Sequence, residues 1–218
     1  MARERAPVAA VHGVHVLADD DPRWKWDPVE QARAACEGGA AVVQLRAKHA
    51  PDREALRWAA KIRALTSASG ALFFVNDRFD LALLADADGV HLGQQDLPPA
   101  SLPAAAREAL LIGRSTHTQE QALETRDEPV DYAAYGPVFA THSKESAYSA
   151  RGIEHLREAV QAARPRPLVA IGGIDASNAV QIAAAGAAGI AVISAVAALD
   201  DPVRATRELV DAFGGVSR

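Results

Sequence analysis

"AAVVQLRAKHAPDREALRWAAKIRALTSASGALFFVND", Ala40 to Asp77, contains one full cycle of the pattern that decides the fold. Residues 40–46 and 71–77 are apolar and rich in β-branched and aromatic side chains, the composition of strands covered on both faces. Between them, 52–68 repeats Ala, Leu and Ile at helical spacing, with Arg, Lys and Glu on the other side. Two strands joined by a helix of this kind run parallel.

The same alternation extends outward in both directions. Strand-like runs fall at 13–19, 40–46, 71–77, 89–93, 110–115, 132–138, 167–174 and 189–196. Helical spacing falls at 28–37, 52–68, 78–85, 99–109, 118–126, 152–163, 175–185 and 201–213. Eight such units predict an α/β fold, a single (β/α)8 TIM barrel, with one domain over 1–218 and the barrel proper at about 13–213. An open doubly wound sheet would place a glycine-rich phosphate loop after its first strand, and "VLADDDPRWKWDP" (16–28) has none.

The chain has 218 residues, enough for one sizeable core. Its net charge is -5 with both signs interspersed, so no broad basic surface exists for nucleic acid, and nucleic acid is excluded as an expected partner. The single cysteine, Cys36, has no partner for an internal disulfide and reads as a small buried hydrophobe. Neither a secretory signal nor a bilayer-spanning apolar run is present, so a soluble, cytoplasmic protein with no membrane partner is expected. Monomer and homodimer both stay open.

In a barrel of this type the chemistry gathers at the C-terminal ends of the strands. Strand side chains alternate faces, so Gln44, Arg46 and Lys48 share one side of strand two, opposite Val43 and Leu45. Strand three ends in Asn76 and Asp77, Asp96 follows strand four in "GQQD", and strand five ends at Ser115, with His117 just beyond. The loop after strand six, "FATHSKES", supplies Thr141, Ser143 and Lys144.

These residues form two chemical subsets. Asp77 and Asp96 offer the hard oxygen donors that Mg²⁺ prefers, completed by water and phosphate oxygens. Arg46, Lys48 and Lys144 add three cations, and such a set suits a multiply charged anion such as a diphosphate leaving group. In "AIGGI" and "VISAV", Gly172 and Gly173 allow close backbone approach to an anion, and the loops after strands seven and eight are where barrels often hold a monophosphate.

Each feature also has a plain structural reading. A strand-end cation can be solvated, and "ND", "GQQD" and "GGI" can be turns or caps. Asp80, Asp86 and Asp88 fall on the third helix and the turn after it and are expected to bind nothing. His91, between Val90 and Leu92, reads as a satisfied core histidine. His117 has the intrinsic pKa of an acid or base at neutral pH, while "STHT" also reads as a helix cap. His142 lies among loop hydroxyls; His12, His15, His49 and His155 form no constellation. Trp24, Trp26 and Trp58 read as packing.

"QLRAK", "VND", "GVHLGQQDL", "IGRSTHT", "DYAAYGPVFATHSK", "LVAIGGI" and "GIAVISAV", in this order and spacing, resemble the thiamine phosphate synthase family over about residues 13–212. The resemblance implies a transferase that joins 4-amino-5-hydroxymethyl-2-methylpyrimidine diphosphate to a thiazole phosphate or its carboxylate. It would release diphosphate in a dissociative, Mg²⁺-assisted step. Matched motif by motif, Arg46, Lys48, Asn76 and Lys144 would hold the diphosphate, and Asp77 and Asp96 the Mg²⁺. Gln44 and Ser115 would touch the pyrimidine or leaving group. Thr141, Ser143, Gly173, Ile193 and Ser194 would hold the thiazole phosphate. The same fold includes thiazole tautomerases that use a histidine near the "STHT" position, and a non-catalytic thiamine phosphate binder is a further alternative. A phosphosugar isomerase or aldolase would share only the phosphate site.

Overall fold

The computed structural model describes residues 5–141, 143 and 148–215. Three of its helices start where a capping side chain satisfies free backbone N–H groups. Helix α1 (Pro28–Gly38) opens with a reciprocal capping box: the Asp27 carboxylate accepts from the Val29 and Glu30 amides, while Glu30 returns to the Asp27 N–H. Thr118 caps α5 (Gln119–Glu124), and Asp201 caps α9 (Pro202–Gly214).

The strands are β1 (Gly13–Asp19), β2 (Val42–Arg46), β3 (Leu72–Asn76), β4 (Gly89–Leu92), β5 (Leu111–Thr116), β6 (Tyr132–Tyr135), β7 (Leu168–Ile171) and β8 (Gly189–Val192). They form a closed parallel barrel in chain order, with β8 pairing back onto β1. The remaining helices are α2 (Asp52–Ser69), α3 (Phe79–Leu84), α4 (Ala104–Ala109), α6 (Gly152–Ala163), α7 (Ala179–Ala184) and the short α8 (Ser194–Ala197). This is the TIM barrel predicted from the alternation. Among the described residues no helix is long and apolar enough to cross a membrane.

Apolar side chains form two concentric layers. Outward-facing Val16, Val43, Leu45, Phe73 and Ile112 pack against Ala32, Ile62, Leu156 and Ile182 of the helices. Inward-facing Leu17, Val42, Phe74, Leu111, Tyr132 and Val169 fill the barrel. Gly113 is required by this inner layer, since a Cβ there would lie 2.2 Å from Tyr132 Cζ. A 3-10 turn at Val8–Val11 closes the N-terminal end of the barrel with Val11, and Arg5 fastens it through an ion pair to Asp131.

Boundaries move where the backbone has special demands. The run 132–138 stops pairing at Tyr135, just before Gly136 and Pro137, because proline offers no amide to the ladder. The run 167–174 stops at Ile171, where Gly172 turns to positive φ. Helix 99–109 divides into a 3-10 turn (Pro99–Ser101) and α4, with Pro103 at the junction. Only Ala179–Ala184 of 175–185 is helical, and the end of 189–196 is the helix α8 rather than strand.

Candidate active site

A cavity of about 360 Å³ opens at the C-terminal end of the barrel. Gln44, Lys48, Asn76, Asp77, Asp96, Ser115, Thr141, Ser143, Gly173, Ile193 and Ser194 all line it, so residues from seven separate segments share one space. Lys144 and His142 lie outside the described residues.

One side of the cavity carries charge. The Lys48 ammonium pairs with Asp77. Asp77 itself adopts a left-handed φ of 65°, and its N–H donates to the His91 carbonyl at 2.7 Å. That conformation is uncommon outside glycine, asparagine and aspartate, and it places the carboxylate at the mouth rather than along the strand. Asp96 anchors its own loop by accepting the Gly93 N–H at 2.6 Å.

The two carboxylates are neighbours with divergent acidities. Burial opposes ionisation of Asp77, yet its hydrogen bonds to Lys48 and Asp96, with the charge of Lys48, hold it below the usual carboxylate range. Burial and the adjoining Asp77 push Asp96 above that range. A pair of oxygen donors crowded in this way suits a hard divalent cation, which would relieve the repulsion. Among the described residues no third His, Cys, Asp or Glu joins a metal-binding group. The set therefore fits Mg²⁺, which keeps several waters and takes substrate phosphate oxygens, better than a metal needing a full protein cage.

Arg46 points inward at the end of β2 but is not among the cavity-lining residues. Its guanidinium pairs with the buried Asp19 carboxylate at 2.7 Å, its partner in the β1–β2 register. The cation is thus held by a carboxylate of the neighbouring strand. Gln44 is buried, and its Oε1 accepts no hydrogen bond among the described residues. An unpaired buried acceptor beside a cavity calls for a donor on the occupant.

The floor is polar. His91 bridges Tyr132 and Ser115, with Nδ1 at 2.9 Å from the Tyr132 hydroxyl and Nε2 at 2.9 Å from Ser115 Oγ. It is the satisfied interior histidine expected, and it also lines the cavity. His15 lies on the same floor, Nε2 2.6 Å from the Val11 carbonyl. His117 Nδ1 donates to the Gly136 carbonyl at 2.6 Å, and its ring stacks on Tyr148 at 4.2 Å.

The opposite side carries hydroxyls and glycines. Ser143 Oγ donates to Ser194 Oγ at 2.7 Å, and the Ser143 N–H donates to Thr141 Oγ1 at 3.3 Å. Gly172 and Gly173 have φ of 102° and 64°. A Cβ on Gly173 would lie 2.5 Å from the Ala140 carbonyl oxygen, so both conformation and space demand glycine. Neutral donors on close-approaching backbone are the kind of lining that can hold a monophosphate.

Of the residues expected to bind nothing, Asp88 is buried against Arg63 at 2.8 Å and accepts the Phe73 N–H, far from this chemistry. His15, Tyr132, Gln94 and Tyr148 line the cavity without having been picked out from the sequence. Tyr132, Gln94 and Tyr148 meet partners distant in the chain, namely His91, Ser115 and His117, and only the "QQ" beside Asp96 is a local signal.

Comparison with known proteins identifies the family and supports the fold. The family described as "Thiamine monophosphate synthase" matches residues 14–196. The thiamine-phosphate synthase of Methanoculleus marisnigri is 48% identical over 200 residues, 92% of this chain and 94% of that protein. That of Anaeromyxobacter dehalogenans is 47% identical over 187 residues, 86% of this chain and 83% of that protein. Among solved structures, thiamine phosphate pyrophosphorylase from Pyrococcus furiosus superposes with a TM-score of 0.86 at 40% identity, covering 97% of this chain and all of that one. A 3-hexulose-6-phosphate synthase, at 18% identity and a TM-score of 0.62, shares the fold alone. The chain belongs to the thiamine monophosphate synthase family of transferases.

Proposed function

We propose that this protein joins 4-amino-5-hydroxymethyl-2-methylpyrimidine diphosphate to a thiazole phosphate, giving thiamine phosphate and diphosphate, or to its carboxylate, giving the same two products and CO2. The observation that carries the reading is the pairing of Lys48 with the Asp77–Asp96 carboxylates on one side of a cavity whose other side is the Thr141, Ser143, Gly173 and Ser194 cradle. One substrate would carry a charged leaving group and the other a monophosphate.

In this mechanism the bond between the pyrimidine methylene carbon and the diphosphate oxygen breaks first, and its electron pair leaves with the diphosphate. Lys48 and Lys144 meet the charge that develops on the departing oxygens, Asn76 donates to them, and Arg46 contributes its field from the edge. Mg²⁺ held by Asp77 and Asp96 would supply further positive charge at the diphosphate. Gln44 Oε1 accepts from the pyrimidine amino group, and Ser115, held by His91, keeps the ring in place. Thr141, Ser143, Gly173, Ile193 and Ser194 fix the thiazole phosphate so that the ring nitrogen lone pair faces the methylene cation and forms the new C–N bond.

The test is an incubation with both substrates, with and without Mg²⁺, followed by chromatography for thiamine phosphate and an assay for diphosphate. Equal, metal-dependent formation of both products is expected. With substrates intact and no product formed, the reading is overturned in favour of a thiazole tautomerase or a non-catalytic thiamine phosphate binder.

A further inference from the structure

The acidic run Asp19-Asp20-Asp21 ends β1, and its middle residue reaches across to the loop that follows β2. Asp20 Oδ1 accepts the Lys48 N–H at 2.8 Å, and Oδ2 accepts the His49 and Ala50 N–H groups at 2.9 and 2.8 Å. Its own N–H donates to the Arg46 carbonyl at 3.1 Å. One residue thus grips the backbone on both sides of Ala47. Hydrogen bonds to an ionised carboxylate are the stronger kind, and three consecutive amides turned to one acceptor leave the loop little freedom. From this loop Lys48 extends to Asp77. The neighbouring Asp19 holds Arg46, the cation that ends β2.

We infer that Asp20 is a positioning residue for the diphosphate end of the site, fixing through backbone bonds the loop from which Lys48 meets its ligand. The inference rests on the reading of the Lys48 side as the diphosphate end. Charge alone predicts the opposite behaviour: a carboxylate beside an anion site repels the anion, so its removal would tighten binding. Positioning predicts weaker binding, because the freed loop must be ordered again when ligand arrives. The sign of the effect therefore separates the two roles.

The experiment titrates inorganic diphosphate with Mg²⁺ into the full chain by calorimetry, for the parent, Asp20→Ala and Asp20→Asn. Thiazole phosphate is titrated separately into each. Loss of the three-bond grip is expected to weaken diphosphate binding about tenfold in Asp20→Ala. KM for the pyrimidine diphosphate should rise in step, with thiazole phosphate affinity unchanged. Asp20→Asn retains one acceptor oxygen and should fall between. Unchanged or tighter diphosphate binding in folded Asp20→Ala overturns the inference. Should circular dichroism show Asp20→Ala unfolded, Asp20→Asn decides by the same criterion. Failure of the parent to bind diphosphate would overturn the reading of the site, and this inference with it. Normal parent binding matched by both variants overturns the inference alone.

Discussion

His15 makes the acid stability of this barrel calculable. It faces inward from β1, is only 1% exposed, and has Nε2 2.6 Å from the Val11 carbonyl oxygen. A carbonyl only accepts, so Nε2 carries a proton, and burial keeps the ring neutral by disfavouring a second one on Nδ1. Burial lowers its pKa from 6.5 to about 4; the bond to Val11 works against that and the nearby His12 adds to it. The unfolded chain binds a proton as pH falls through 6.5, whereas the folded chain resists until about 4. Stability is therefore fully present above 6.5 and lost progressively between 6.5 and 4. The full loss is about 3 kcal/mol, of which about 2 kcal/mol has gone by roughly pH 5. Replacing His15 with Gln removes the titrating group and keeps an amide donor for Val11. Urea unfolding of parent and His15→Gln near pH 7.5 and near pH 5 yields four free energies, and titrating groups that do not interact with His15 cancel in their double difference. The parent should lose about 2 kcal/mol more than the variant between the two pH values. Parallel losses would refute the buried, neutral histidine as a source of acid sensitivity.

Asp77→Ala should lower thiamine phosphate formation by about 10²–10³-fold or more, the scale for removing one charge-stabilising group, while thiazole phosphate affinity holds. Equal loss of both in a folded protein, measured by turnover and by direct titration, would count against two separate subsets. Gly113→Ala forces a methyl into the Tyr132 ring and should cost about 1–3 kcal/mol, with Tm falling by about 2–4 °C for each kcal/mol. Adding Tyr132→Leu should recover part of that loss in a thermal melt; no recovery would place the damage elsewhere.

The alternation of runs was sufficient for the barrel because both of its layers impose simple periods: two along strands and about three and a half along helices. The expected inward set on β2 holds for Gln44 and Arg46, as Val42 and Gln44 face the interior while Val43 and Leu45 face the helices. What the alternation does not carry is register. Arg46 stands directly across from Asp19, and that single pairing supplies its guanidinium with a buried carboxylate partner. His15 and Tyr132 meet with ring centroids 5.9 Å apart although they are far apart in the chain, so neither looked functional from its neighbours. "VISAV" reads as a strand by composition, yet pairing ends at Val192 and the backbone coils from Ser194. Local residue types decide which elements exist; the closing of the ladder decides which side chains meet.

The seam between β8 and β1 has a further effect. It pairs only Gly13–Val16 with Gly189–Val192, and it is braced outside the barrel by Lys25 on Asp200 and by Trp26 on the Leu199 carbonyl. Ser194 stands just past one edge of that seam and the Asp19–Arg46 pair just past the other, so the two halves of the mouth come into register only when the ring is shut. A chain open at the seam would have no composite pocket. Ligands would then bind the shut ring alone and draw the population toward it by mass action, so substrate saturation should protect the β1 and β8 amides from hydrogen exchange together, as one cooperative unit.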